Sequence, residues 1–378
     1  VIDMSKAAAG SKVVIYGGGM AGAILAKELC SVAEVTLVDP NDYFEVPMAA
    51  PRSLVHPSFA EKAIVPFRQA LPGVRHLRGK LTELTKSGGL VTLSSGQRIN
   101  VSGDVSVLAT GSSFSNSLMR ASDATAGERK GFYSRYSQRI AEAERILIVG
   151  GGPIGIEVAG EISESYPNKQ ITILEAGPRV LAGTTVAASQ FAVSVLSQRG
   201  VTILTGEKLV DSESTPRDVF SNAGVATTSS GRKIAYDLIV WCVGGKPNTD
   251  YMRPNFASLL NEKGQIKVTQ NLRVVGKADL FALGDITDLD ENKMAWHIAA
   301  QVKNSAFNIR QVLSGKSSEK SLKKHKAQTG NPMMAVTLGS QMGVVHLPVV
   351  GLIKCPALTR AAKAGHMLVP KYRKILGV

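Results

Sequence analysis

"KVVIYGGGMAG", from Lys12 to Gly22, and "RILIVGGGPIG", from Arg145 to Gly155, are one device written twice, 133 residues apart. A glycine cluster constrains a chain only in context, and both copies have that context. "KVVIY" and "RILIV" are β-branched runs of strand length that end on the glycines. "AGAILAKELC" then places Ala21, Ile24, Leu25 and Leu29 at helical spacing, and "IGIEVAGEIS" follows the second cluster as its helix. The next strands, "EVTLVD" and "QITILE", end in the acids Asp39 and Glu175. Strand, glycine turn, helix and strand is the order of a parallel, doubly wound sheet. The expected class is α/β, with two Rossmann-like dinucleotide-binding domains and a small C-terminal α+β region.

The glycines have separate tasks. Gly17 and Gly150 allow the tight turn, Gly19 and Gly152 let a pyrophosphate reach the main chain, and Gly22 and Gly155 let the helix approach the strand. Gly18, Met20 and Ala21 in the first copy, with Pro153 and Ile154 in the second, complete loops whose helix N-termini offer N–H groups to phosphate. Asp39 and Glu175 stand 22 and 25 residues beyond the first glycine, where a carboxylate accepts hydrogen bonds from a ribose diol. Two such sites suit a flavin held permanently and a nicotinamide admitted transiently, with hydride passing between them. The motifs alone leave open which site holds which.

A chain of 378 residues accommodates two or three domains. Cys30, Cys242 and Cys355 are odd in number and far apart, so neither a disulfide framework nor a zinc site is expected; they read as buried thiols in a reducing, intracellular setting. No apolar stretch reaches the ~18 residues of a membrane span. "GVVHLPVVGLI" is the nearest, and Pro348 breaks it. The opening "VIDMSKAAAGSK" is too short and polar for a signal peptide and has no myristoylation start. Of the formal net charge of +14, a surplus of ten lies in Lys316–Val378, where eleven Lys and Arg face the single acid Glu319. That tail suits an anionic partner, membrane or nucleic acid, or else a solvated basic face.

Later segments continue the pattern. "DVSVLATG" is a buried strand closing on Thr110 and Gly111, and "DLIVWCVGGKPNTD" repeats that design with Gly244. "DLFALGDITD" is a strand followed by Gly284 and Asp285 in a turn, where the acid serves either a ribityl hydroxyl or a helix cap. "KMAWHIAAQVKNSAFNI" has helical periodicity. "KSSEKSLKKHKAQTGNP" reads as a basic linker, and "MMAVTLGSQMGVVHLPVVGLI" as strands and turns.

With "GGGMAG", "VDPNDYFEVPMAAPRSLV", "LATG", "GGGPIGIEVAGEI", "LFALGDITD" and "KAGHMLVPKYRKILG" in view, the chain resembles the two-dinucleotide-binding-domain, glutathione-reductase-like flavoproteins from Lys12 to Gly377. It looks closest to the apoptosis-inducing-factor-like ferroptosis suppressors, and more distantly resembles type II NADH dehydrogenases. The resemblance implies that the first motif holds FAD, with Asp39 on its ribose, Arg52 nearby and the Leu77 backbone in contact with adenine. It implies Asp285 on the ribityl chain and Lys293, Met294 and Ala295 at the helix start beside the flavin ring. NADH or NADPH then occupies the second motif, with Glu157 near the nicotinamide, and Lys363 takes part in flavin or quinone chemistry. The corresponding division is 1–115 and 249–315 for FAD, 116–248 for NAD(P)H, and 316–378 for a basic region open to membrane or acceptor. With only Cys30 after the first unit, disulfide reduction is not expected.

The leading reading is an FAD-dependent NAD(P)H:quinone oxidoreductase, peripheral to a membrane or cytoplasmic. His297 is either a proton donor or a packed histidine, Trp296 either flanks the ring or packs in the core, and Glu157 either positions nicotinamide or is a surface acid. Glu175 would repel a 2′-phosphate and favour NADH, with Arg179 and Lys169 placed to soften that. A second reading is a nucleic-acid-binding or signalling flavoprotein, although Tyr372 is the only clear aromatic in the tail for base stacking. A third is a reductase of ferredoxin or monodehydroascorbate. The residues do not indicate an oligomeric state.

Overall fold

The first glycine motif forms β1 (Lys12–Tyr16), α1 (Met20–Leu29) and β2 (Glu34–Asp39), as its hydrophobic spacing requires. The computed structural model describes residues 10–114, 118–119, 125–210, 222–329, 333–347 and 349–378. The expectations for the first nine residues, for Pro348 and for the last three residues of the basic linker lie outside them. After β2 come α2 (Ala50–Val55), β3 (Arg75–Thr85), β4 (Gly88–Leu93), β5 (Arg98–Val101) and β6 (Val105–Leu108). Helix α3 (Ala126–Glu142) starts at a capping box, in which Thr125 accepts from the Glu128 N–H and Glu128 reaches back.

The second motif gives β7 (Arg145–Val149), α4 (Pro153–Ser165) and β8 (Gln170–Glu175), followed by α5 (Val186–Gln198), β9 (Thr202–Thr205) and β10 (Leu238–Trp241). The chain then returns with β11 (Leu280–Ala282) and α6 (Ala295–Leu313). It ends in β12 (Met334–Thr337), β13 (Gly343–Leu347), β14 (Gly351–Ile353) and α7 (Val369–Leu376).

The first sheet runs β11-β6-β1-β2-β3-β4-β5, parallel from β11 to β3 and antiparallel beyond. The second runs β9-β8-β7-β10 and is wholly parallel. The third, β12-β13-β14, is antiparallel. Because β11 pairs with β6, residues after the second unit complete the first. The two chain crossings meet where Ser112–Phe114 pairs antiparallel with Gly245–Pro247.

The buried side chains show how the C-terminal residues are shared. Val336, Leu338 and Val344 join a core with α3, α4 and β7. Met367, Val369, Tyr372 and Leu376 join another with α1, β1 and α6. Not every thiol is buried: Cys355 is exposed, and Cys30 and Cys242 are only partly covered.

Arg52 joins the two units. From α2 its Nη2 and Nε reach Glu161 of α4 at 2.7 Å and 3.1 Å, and its guanidinium lies 5.5 Å from the Phe59 ring. Both charges are buried. Burial raises the Glu161 carboxyl above its usual range even with this guanidinium beside it. Breaking one half of such a pair leaves an uncompensated buried charge. Arg52→Met should therefore lower stability by about 3–5 kcal/mol, whereas Arg52→Met with Glu161→Leu should recover most of the loss. Urea unfolding of the FAD-saturated proteins measures both.

Candidate functional site

The site grows from a turn that a side chain would block. Gly17 has φ +106° and Gly150 φ +108°, and a Cβ on Gly17 would lie 2.3 Å from the Ala109 carbonyl oxygen. Each helix presses on its own turn: a Cβ on Gly22 would meet the Gly17 oxygen at 1.8 Å, and one on Gly155 the Gly150 oxygen at 1.9 Å. No side chain caps α1 or α4, which leaves their first-turn N–H groups for a phosphate.

The acids after β2 and β8 brace these loops in the same way. Asp39 Oδ2 accepts from the Gly18 N–H at 2.6 Å, and Glu175 Oε2 from the Gly151 N–H at 2.7 Å. Their other oxygens accept from the N–H two residues on, Asn41 at 2.8 Å and Gly177 at 2.6 Å. The motif acids thus hold their own loops as well as standing where a ribose would bind.

A cavity of about 1060 Å³ opens at the first loop. Gly17, Gly18, Gly19, Met20, Ala21 and Asp39 line one part of it, and Thr110 and Gly111 a second. Gly284, Asp285, Lys293, Met294 and Ala295 line a third. Asp285 caps no helix; it accepts from Ser112 Oγ at 2.7 Å. Thr110 is held by the chain crossing, through the Asn248 carbonyl at 2.7 Å and the Tyr251 hydroxyl at 2.9 Å. An uncapped helix start, two separate acids and a volume on the scale of large cofactor pockets fit FAD. Gly17–Ala21, Asp39 and Asp285 are the residues that would hold it.

Two residues expected at the flavin are not among those lining the cavity. Arg52 is committed to Glu161 and does not line the cavity. Leu77, within β3, packs its side chain against a core that includes Val14 and Val38, while Gly79, Lys80, Leu81 and Thr82 of the same strand line the cavity. Gly22 sits beneath the loop, where its role is the helix contact described above.

At the second loop the space is open. A Cβ on Gly152 would meet nothing within 4 Å, and the same is true at Gly244, whose φ is +59°. Pro153 and Ile154 form the first turn of α4 beside this opening. Of the two cations expected to soften Glu175, Arg179 is occupied and Lys169 stands at the opposite end of β8. Arg179 donates to the carbonyls of Leu181, Ala182 and Thr184 at 2.6–3.0 Å, and Lys169 to those of Ala141 and Ala143 at 2.8 Å and 2.5 Å.

Glu157 and Lys363, 206 residues apart, meet. Lys363 Nζ donates to Glu157 Oε1 at 2.5 Å and to the Ala335 carbonyl at 3.0 Å, and the Thr337 N–H donates to the same Glu157 oxygen at 2.9 Å. Glu157 is therefore no surface acid. Neither residue lines the large cavity. Trp296 is 47% exposed, with Lys371 5.7 Å from its ring, so it is not core; His297 is buried.

One wall of the cavity has no sequence signal. Glu45 lines it and pairs at 3.0 Å with Arg129, a fully buried side chain. Arg129 also donates to the Leu118 carbonyl and to the Tyr133 hydroxyl, each at 2.8 Å, and Tyr133 in turn donates to Glu45. The ion pair joins residues 84 apart, and no local periodicity announces such a contact.

Residues 11–302 match the pyridine nucleotide-disulphide oxidoreductase family. Apoptosis-inducing factor homolog B of Dictyostelium discoideum is 31% identical over 89% of this chain and 89% of its own. Ferroptosis suppressor protein 1 of Mus musculus is 28% identical over 94% of this chain and 93% of its own. Among solved structures, NDH2 from Plasmodium falciparum in complex with NADH superposes with a TM-score of 0.69 at 15% identity, covering 93% of each chain. The sulfide:quinone oxidoreductase of Aquifex aeolicus does so with a TM-score of 0.71 at 15% identity, over 96% of this chain and 90% of that one. These two likenesses establish the fold.

Proposed function

Because the chain belongs to the pyridine nucleotide-disulphide oxidoreductase family, with FAD as its cofactor and NADH or NADPH as co-substrate, we propose that it passes electrons from the reduced nicotinamide to a quinone-type acceptor. The similarity to ferroptosis suppressors over nearly the whole chain and the likeness in fold to a sulfide:quinone oxidoreductase support the acceptor class. The observation that carries the reading is the pairing of Glu157, on the helix of the second motif, with Lys363 of the C-terminal region.

FAD, when bound, supplies a ring that takes electrons in pairs from a nicotinamide and releases them to an acceptor. The chain's own groups align and shield. Gly17–Ala21 and the N-terminus of α1 hold the pyrophosphate, Asp39 the ribose and Asp285 the ribityl hydroxyls. Gly150–Gly155 and Glu175 hold the reduced dinucleotide. Lys363 and the Thr337 N–H bind one oxygen of Glu157 and so orient the carboxylate, whose Oε2 makes no hydrogen bond among the described residues and is left for the nicotinamide amide. Holding two rings in contact is the main contribution a protein makes to such a transfer.

The purified protein should be yellow, and NADH should bleach it in the absence of oxygen. Short-chain quinones should reoxidise it with a higher kcat/KM than ferredoxin or monodehydroascorbate. Glu157→Gln should slow the bleaching by about 10–100-fold while FAD stays bound, as expected for loss of alignment. A protein that binds no flavin after reconstitution ends this reading.

Arg179 is engaged by carbonyls and Lys169 stands at the far end of β8, so neither offers an incoming 2′-phosphate a cation to offset Glu175. NADH should be preferred over NADPH by at least about tenfold, and Glu175→Ala should narrow that ratio; steady-state kinetics with both coenzymes decide it.

The same C-terminal region supports contact with an anionic bilayer. Val349 and Val350, between β13 and β14, are 97% and 69% exposed; Lys354 is the nearest Lys or Arg in sequence, and the eleven Lys and Arg of the region lie before and after this apolar hairpin. Among the described residues no helix is long and apolar enough to cross a membrane. Vesicles containing phosphatidylserine should sediment the protein at low salt and release it at high salt. Val349→Asp with Val350→Asp should weaken that binding.

A further inference from the structure

Beneath the third part of the cavity lies a buried chain of hydrogen bonds that the proposed reaction does not use. Gly284, with φ +79°, begins the turn that carries Asp285, and its N–H donates to Gln301 Oε1 of α6 at 2.7 Å. Gln301 Nε2 donates to Glu291 Oε1 at 2.6 Å. Glu291 Oε2 takes the Gln328 N–H at 3.3 Å and lies 3.2 Å from His325 Nε2. Asn304 Nδ2 faces His325 Nδ1 at 3.4 Å, which assigns the imidazole proton to Nε2 and makes His325 a donor to the carboxylate. A second imidazole nitrogen, His297 Nδ1, is 3.8 Å from the same Glu291 oxygen.

The side chains that link Gly284 to His325 are covered. Gln301 is 3% exposed, His325 6% and the Glu291 side chain 1%. Burial alone would raise the Glu291 carboxyl, but hydrogen bonds from His325, Gln301 and the Gln328 N–H hold it down at about 2. The group is thus an ionised carboxylate, placed where it orients Gln301. An amide left free could turn its NH₂ toward Gly284 and present a donor to a donor; the carboxylate on Nε2 fixes the oxygen toward the glycine. The other end of the same loop is tied as well, since Lys293 Nζ donates to the Thr287 and Leu289 carbonyls at 2.8 Å and 3.1 Å.

We propose that Glu291 is a positioning residue for the flavin: through Gln301 it holds the Gly284 N–H, and with it the Asp285 turn, in the conformation that binds the cofactor, and His325 completes the set by donating to its second oxygen. This rests on FAD occupying the large cavity. It gives the basic segment a task unrelated to its charge, because His325 is its buried anchor beneath the cofactor, reinforced by Asn308, which accepts from the Lys323 N–H at 2.7 Å.

The test measures FAD dissociation constants by recovery of flavin fluorescence, with circular dichroism to confirm folding. Gln301→Leu keeps the shape but orphans the Gly284 N–H and should weaken FAD about tenfold; Glu291→Ala should do the same. His325→Gln, which retains an N–H donor, should stay within about twofold of the parent, whereas His325→Ala should lose several-fold. A purely space-filling role would not separate those two. Parental affinity in Gln301→Leu, or equal behaviour of the two His325 variants, overturns the proposal. If Gln301→Leu and Glu291→Ala do not fold, the His325 pair decides. Asp285→Ala is the control: if it too binds FAD like the parent, the cavity assignment fails, whereas loss there with no effect at Gln301 removes only the positioning role.

Discussion

Everything in the molecule is arranged around a contact that tolerates no side chain. The Gly17 carbonyl oxygen occupies the space a Cβ of Gly22 would need, and Gly150 and Gly155 repeat the arrangement. That approach brings the helix start over the end of the strand, so unpaired N–H groups face the space beyond the sheet. The next strand is then in register for its terminal acid to accept from the loop. In both units the first glycine N–H also donates to the neighbouring strand, Gly17 to Val38 and Gly150 to Leu174, each at 2.8 Å. Two dinucleotide sites of the same geometry follow from one packing rule applied twice.

Helix α4 shows how the units are then held in relation. Glu157, Glu161 and Glu164 share one face at helical spacing, and each is met from a different part of the chain. Lys363 of the C-terminal region meets the first, and Arg52 of α2 the second. Glu164 accepts from the Ser340 N–H at 2.6 Å, with Arg199 3.6 Å away. Three acids on a largely buried face would repel one another without these partners. The face therefore specifies which elements may pack on it, a use of buried charge better attested than net stabilisation.

The fold was legible because it is periodic. Strand runs, glycine spacing and the acid-terminated second strands are local patterns, and the helix expected after Asp285 appears as Ala295–Leu313. Asp39, Asp285 and the loop glycines reach the cavity because their positions are set within one βαβ unit or one strand–turn. Arg52 and Leu77 rest on resemblance alone: the Arg52 guanidinium is taken by a buried acid 109 residues away, and the Leu77 side chain packs in a core from a strand whose later residues line the cavity. Arg129 with Glu45, and Glu291 with His325, carried no signal. A buried ion or hydrogen-bond pair between distant residues depends on tertiary approach, which no spacing rule encodes. The basic tail was read for its charge, whereas the structure buries His325 from within it.

The division of the C-terminal residues between two cores bears on how the molecule is made. Val13 and Ile15 of the opening strand share a core with Tyr372 and Leu376, close to the end of the chain. A chain emerging in order from the ribosome must expose that apolar surface until Tyr372 and Leu376 are released, while the second unit, inserted between, has most of its partners already present. Vectorial synthesis therefore favours the second unit burying most of its core before the N-terminal sheet completes its own.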